Sequence, residues 1–146
     1  MTTRESVDPQ AIERLRTRLR GMLAMLALMF LLGMGANLIG MPDENDGVGT
    51  VVAIVLIALH ALLGIGILVN AILLMPAARK SGIGRREAMI GLITVIITFL
   101  VGVGTALTGS EWLSFVMAVG FLVAAGAYVM AAIAAARSGV ARPGPA

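Results

Sequence analysis

The chain has 146 residues, of which 59% are hydrophobic and 13% charged, with a formal net charge of +3 and no cysteine. Ordinary soluble domains are about 45–50% apolar and about 25% charged, so this composition excludes a water-soluble globule, whose exposed area so few charges cannot cover. The missing cysteines exclude disulfides, thiolate metal sites and thiol nucleophiles, and the length suits a single domain.

Residues 1–20 read as a cytoplasmic amphipathic leader. Asp8 and Pro9 make a good N-cap and first helical position. Beyond them Ile12, Leu15, Leu19 and Met22 recur at helical spacing, opposite Arg14, Arg16, Arg18 and Arg20. That pattern predicts a short helix lying on the inner leaflet, held there by ordinary juxtamembrane anchoring or serving as a sensor of lipid or a partner. A cleaved signal peptide is the poorer reading, since the apolar run that follows is longer than the roughly 7–15 residues of a signal core and no small-x-small site follows it.

Crossing about 30 Å of hydrocarbon as a helix takes ~20 apolar residues, because each adds 1.5 Å and lipid cannot satisfy a bare backbone. Four stretches meet this requirement, 21–41, 51–75, 88–107 and 112–136, and none holds a charged residue. Pro42 is expected to end the first span, leaving an acidic loop with Asp43, Glu44 and Asp46. The second span, with four Val, five Ile and seven Leu, easily carries one His and one Asn into the bilayer on the insertion scale. Pro76 is expected to end it. A basic loop follows, with Arg79, Lys80, Arg85 and Arg86 around Gly82 and Gly84. After the third span the connection is only Thr108 to Glu111, with Ser110 placed to cap the fourth helix. The fourth span is Ala-rich from Ala131 to Ala136, so its inner end is expected to project from the membrane before a tail at 137–146. Short links favour antiparallel neighbours. The predicted fold is therefore all-α, a four-helix transmembrane bundle running up-down-up-down.

All eleven Lys and Arg residues fall before the first span, in the second loop or in the tail. By the positive-inside rule these segments are cytoplasmic, which places both termini inside a cell membrane, with the acidic loop outside and Trp112 anchored at the outer interface. The same placement makes nucleic-acid binding a poor reading of the basic residues. They flank apolar spans and are not interleaved with aromatics on one face.

Helix association in lipid relies on close approach at small residues and on hydrogen bonds between helices. In the third span Gly91, Thr94, Thr98, Gly102 and Thr105 share one face, which reads as a packing seam or, more sharply, as a polar path. The fourth span has a stripe at Gly120, Ala124, Ala127, Ala131 and Ala135, and a separate edge at Ser114, Ala118, Ala125 and Tyr128. In the first, Gly33, Asn37 and Gly40 fall together.

Buried polar residues mark where function would reside. Counting 1.5 Å per residue places His60 about 4–5 Å outward of the midplane, at a depth where Asn37 or Thr98 can meet it. Asn70 falls deeper, with Thr94 or Tyr128. His60 is the one side chain in the spans that titrates near neutral pH. It reads as a structural hydrogen-bonded histidine, a polar anchor of a site, or a ligand. Proton relays use chains of acids and histidines, and every acid here lies outside the spans. A haem held by two histidines needs a second copy, leaving His60 with a methionine within one chain. Met22, Met25 and Met29 invite a copper reading, but methionine fills irregular apolar space equally well. No metal or cofactor is expected.

The run LHALLGIGILVNAILL, the basic loop and VGVGTALTGSEWLSFVMAVGFLVAAGAYVMA resemble small four-span integral membrane proteins of high-GC actinobacterial genomes. The matching positions are His60, Gly64, Ser114, Met117, Ala118 and Tyr128, and the likeness covers roughly the C-terminal two thirds. The resemblance implies the architecture and no activity. The chain is also similar to b-type cytochrome bundles, without the paired histidines that hold haem there.

No catalytic constellation is present. The Gly-x-Gly pairs lie within apolar helices and so are not phosphate loops. The expected role is non-enzymatic, an accessory or assembly protein acting on lipids, on other membrane proteins or on a second copy of itself. The alternatives are a small oligomeric transporter or channel and a haem-binding redox subunit.

Overall fold

The computed structural model describes residues 9–40, 42 and 46–140. Four α-helices account for nearly all of them: α1 (Pro9–Ile39), α2 (Val48–Ser81), α3 (Arg85–Thr108) and α4 (Glu111–Val140), with no strand among the described residues. All four are long and apolar enough to cross a membrane, so the chain is an all-α, multi-pass bundle. Asp8, expected to cap the leader, and Asp43 and Glu44 of the acidic loop lie outside the described residues, as does the tail beyond 140.

Each helix packs on the two beside it, α1 on α2 and α4, and α3 on α2 and α4, with α1–α2 and α3–α4 the closest pairs. This is the antiparallel arrangement that short connections favour. The core is unevenly placed. Leu15, Leu19, Met22 and Leu26 of α1 meet Ile67, Ala71, Leu74 and Ala78 of α2, Ala88 and Val95 of α3, and Ala124, Tyr128, Ala131 and Ala135 of α4. Every one of these lies in the half of the bundle that carries the basic residues. Among the described residues, Ala53 is the one buried hydrophobic residue near the opposite end, where Leu38 and Leu107 are each 81% exposed.

Two elements differ from the sequence expectation. The leader is helical from Pro9, but it runs unbroken into the first span as α1, and Leu15 and Leu19 are buried against the other helices. Its apolar stripe therefore faces protein. Nothing between Pro9 and Gly21 interrupts helical geometry, and the inner ends of α2 and α4 extend alongside it, offering a surface that buries those leucines.

Pro76 does not end the second helix. It lies inside α2, which continues to Ser81. A proline removes one backbone donor, but such losses are tolerated in membrane helices where neighbouring groups compensate. The stop comes instead at Gly82, whose φ of 68° is left-handed, a conformation that glycine adopts without the Cβ clash other residues suffer. Ser81 secures it, its buried Oγ donating to the Ala78 carbonyl (3.2 Å) and accepting from the Ile83 N–H (3.3 Å). Gly84, also left-handed, then starts α3. At the third connection Ser110 caps α4 as expected, accepting a long bond from the Leu113 N–H at 3.5 Å.

Candidate functional site

The polar side chains within the spans are placed by the same small-residue notches that let the helices approach. His60, on α2, lies over Gly33 of α1, where a methyl group would meet its Cε1 at 3.5 Å. Its Nδ1 is buried without a hydrogen-bond partner. The expected partners do not reach it. Asn37 sits one turn farther out on α1 and is exposed, while the Thr98 hydroxyl is directed at α4.

That hydroxyl occupies the notch of Gly120, closer than any added side chain would permit, and is itself buried without a partner. One level deeper, Tyr128 of α4 lies across Gly91 of α3. The ring is fully buried, and a methyl group at Gly91 would stand 2.6 Å from Cζ. Its hydroxyl likewise has no hydrogen-bond partner.

Asn70 bonds neither Thr94 nor Tyr128. Its Nδ2 donates to the Arg18 carbonyl at 3.4 Å, tying α2 to the leader portion of α1. Thr94 is half-buried. Thr105 donates back to the Val101 carbonyl of its own helix at 3.0 Å, a local bond that removes it from any path. Gly102 faces the Met117 sulfur, with room for a methyl only at 3.2 Å. Gly91, Thr98, Gly102, Gly120 and Ala124 thus form the α3–α4 seam. Tyr128 belongs to this seam with Ala131 and Ala135, whereas Ser114 and Ala118, grouped with it by spacing, are exposed. The ring occupies the interior because Gly91 opposite leaves space for it.

The methionines are fillers of the same kind. Met22 is buried, the Met25 sulfur lies 3.9 Å from where a methyl at Gly66 would sit, and the Met29 methyl reaches Gly64 at 3.2 Å. Among the described residues no group of three or more His, Asp or Glu stands together to hold a metal ion.

One tether had no signal in the residue pattern. Arg16 donates from both Nε (3.2 Å) and Nη2 (2.9 Å) to the Ala135 carbonyl on α4. Basic groups are favoured toward helix C-termini, where the backbone dipole concentrates negative charge, and the Ala135 carbonyl, within the last two turns of α4, also accepts from the Ser138 hydroxyl at 2.8 Å. Only the register between α1 and α4 reveals which helix end Arg16 meets.

Taken together, the polar residues are spread over three seams, α1–α2 at His60 and Asn70, α3–α4 at Thr98 and Tyr128, and α1–α4 at Arg16. They do not converge on one cavity. No family model, curated protein or solved structure matches the chain.

Proposed function

We propose that the protein is a non-enzymatic accessory or assembly component of the cell membrane, with both termini and the basic loop in the cytoplasm. The orientation rests on the confinement of Lys and Arg to one end of the bundle. The role rests on one observation: His60, Thr98 and Tyr128 close onto glycines, and Asn70 and Arg16 onto backbone carbonyls, of neighbouring helices. Polar groups placed in this way hold helices together. A conduction path needs polar atoms facing a common lumen, and a relay needs intramembrane acids.

The outer surface supports the same reading. Leu31, Leu62, Ile97, Leu100 and Leu122 are exposed on α1 to α4, offering lipid or another membrane protein an apolar face on every side. Kinship with small four-span actinobacterial membrane proteins, on His60, Gly64, Ser114, Met117, Ala118 and Tyr128, is part of the proposal.

The test is a flux assay on the purified protein in liposomes. Ion and small-solute leakage indistinguishable from that of empty liposomes is expected. Transport that His60→Ala abolishes would replace this reading with an oligomeric transporter, and a Soret band after haem supplementation would replace it with a redox subunit.

A further inference from the structure

Between α2 and α3, at the basic end of the bundle, an open groove of about 430 Å³ is lined by Ile72, Met75, Pro76, Met89 and Ile93, with Arg79 as its one charged residue. The volume falls within the ~300–1,000 Å³ typical of small-molecule sites. Ile72, Pro76 and Arg79 share one face of α2 at helical spacing, and Met89 and Ile93 do the same on α3. The groove is thus an apolar channel, open toward lipid, that ends in a guanidinium.

Among the described residues, the charge at that end has no ion-pair partner. Arg79, Lys80, Arg85 and Arg86 are all exposed, and among the described residues the one ion pair is Arg16 with Glu13, at 3.9 Å. Glu87, the carboxylate nearest in sequence, faces the other side of α3. There, with Arg86, it lines a second groove against α4. The α3–α4 groove therefore carries both signs of charge, and the α2–α3 groove carries positive charge alone.

We infer that the α2–α3 groove is a binding site for one anionic phospholipid of the cytoplasmic leaflet, its acyl chain along Ile72, Met75, Pro76, Met89 and Ile93 and its phosphate at Arg79. The occupant must be amphiphilic, because an apolar trough leads directly to the cation. It must be anionic, because Arg79, the one charged residue of the groove, has no acidic partner among the described residues. Arginine suits the role, since its planar fork can bind two phosphate oxygens at once. The inference rests on the membrane reading above and adds a defined ligand to it.

Native mass spectrometry of the full-length protein in mild detergent, with added phosphatidylglycerol or phosphatidylcholine, tests it. Phosphatidylglycerol is expected to be retained in preference. A basic residue near an anionic lipid surface contributes a factor of about 5 in affinity, so Arg79→Gln is expected to weaken retention about 5-fold. Ile93→Trp, which fills an exposed part of the groove, is expected to lower retention while leaving thermal stability unchanged. Arg137→Gln, on α4 and away from the groove, is expected to leave retention unchanged, and millimolar inorganic phosphate is expected not to compete.

Equal retention of the two lipids, or equal losses from Arg79→Gln and Arg137→Gln, would overturn the site. Competition by free phosphate would overturn the lipid as its source. A second copy of the chain in place of lipid would show as a dimer mass sensitive to Ile93→Trp. The liposome flux assay reads none of these quantities, so failure of the site and failure of the accessory role remain distinguishable.

Discussion

A fully buried aromatic ring over a glycine makes one of the two closest approaches of the α3–α4 seam. With Tyr128 Cζ only 2.6 Å from where a Gly91 methyl would sit, Gly91→Ala forces two packed helices apart, and overpacking of this kind costs roughly 1–3 kcal/mol. Thermal unfolding in detergent is expected to show that loss, whereas Gly126→Ala, where an added methyl meets nothing within 4 Å, is expected to keep or gain stability, alanine being the better helix former. The tyrosine hydroxyl contributes differently. It is buried with no partner, and removing an unsatisfied polar group is neutral or stabilising. Tyr128→Phe is therefore expected to match or exceed the wild-type melting temperature, and Tyr128→Ala to lose about 3–5 kcal/mol through the cavity it leaves. At this scale the sequence was partly legible. The small residues of α3 and α4 could be assigned to a seam from spacing alone, because every third or fourth residue shares a face. Which partner each polar side chain meets was not, since that depends on rotation and register between helices. His60 illustrates the difference: depth suggested Asn37 or Thr98, and the α1–α2 register places Gly33 opposite it.

Helix α1 shows how an element's meaning changes with its neighbours. A stripe of Leu15, Leu19 and Met22 opposite arginines is compatible with a membrane surface or with a protein face, because both are apolar on one side. The inner extensions of α2 and α4 decide it, burying Leu15 and Leu19 to 1% exposure each. The double substitution Leu15→Ala with Leu19→Ala is accordingly expected to lower stability by several kcal/mol, at about 2–5 kcal/mol per buried leucine. A helix resting on lipid would lose membrane affinity and leave the unfolding transition in place. Arg16→Ala removes a charge-assisted pair of bonds to Ala135 and is expected to cost about 1–2 kcal/mol, since the guanidinium is partly exposed. Helix ends were legible where glycine or serine chemistry marks them, as at Ser110, and misleading at Pro76. Proline signals a stop in water, but α2 passes through it to the left-handed Gly82.

Across the whole molecule the packing is one-sided. The buried core gathers at the end that carries the arginines, while the opposite ends of the helices are exposed and apolar. The two features share a cause. The inner portions of α1, α2 and α4 extend past the length a bilayer requires, so their side chains need protein partners, whereas the remaining lengths have lipid available on their exposed sides. Four spans, their order and their antiparallel course were all readable from apolar length and charge placement, the most robust signals a membrane sequence carries. Because the chain lacks cysteine, single replacements report cleanly on how it threads the membrane. Asp46→Cys and Lys80→Cys, each treated with a membrane-impermeant maleimide in intact cells, measure the two loops separately. Labelling is expected at position 46 without permeabilisation and at position 80 only after it. Labelling of position 80 in intact cells, or protection of both positions until the membrane is opened, would contradict that threading.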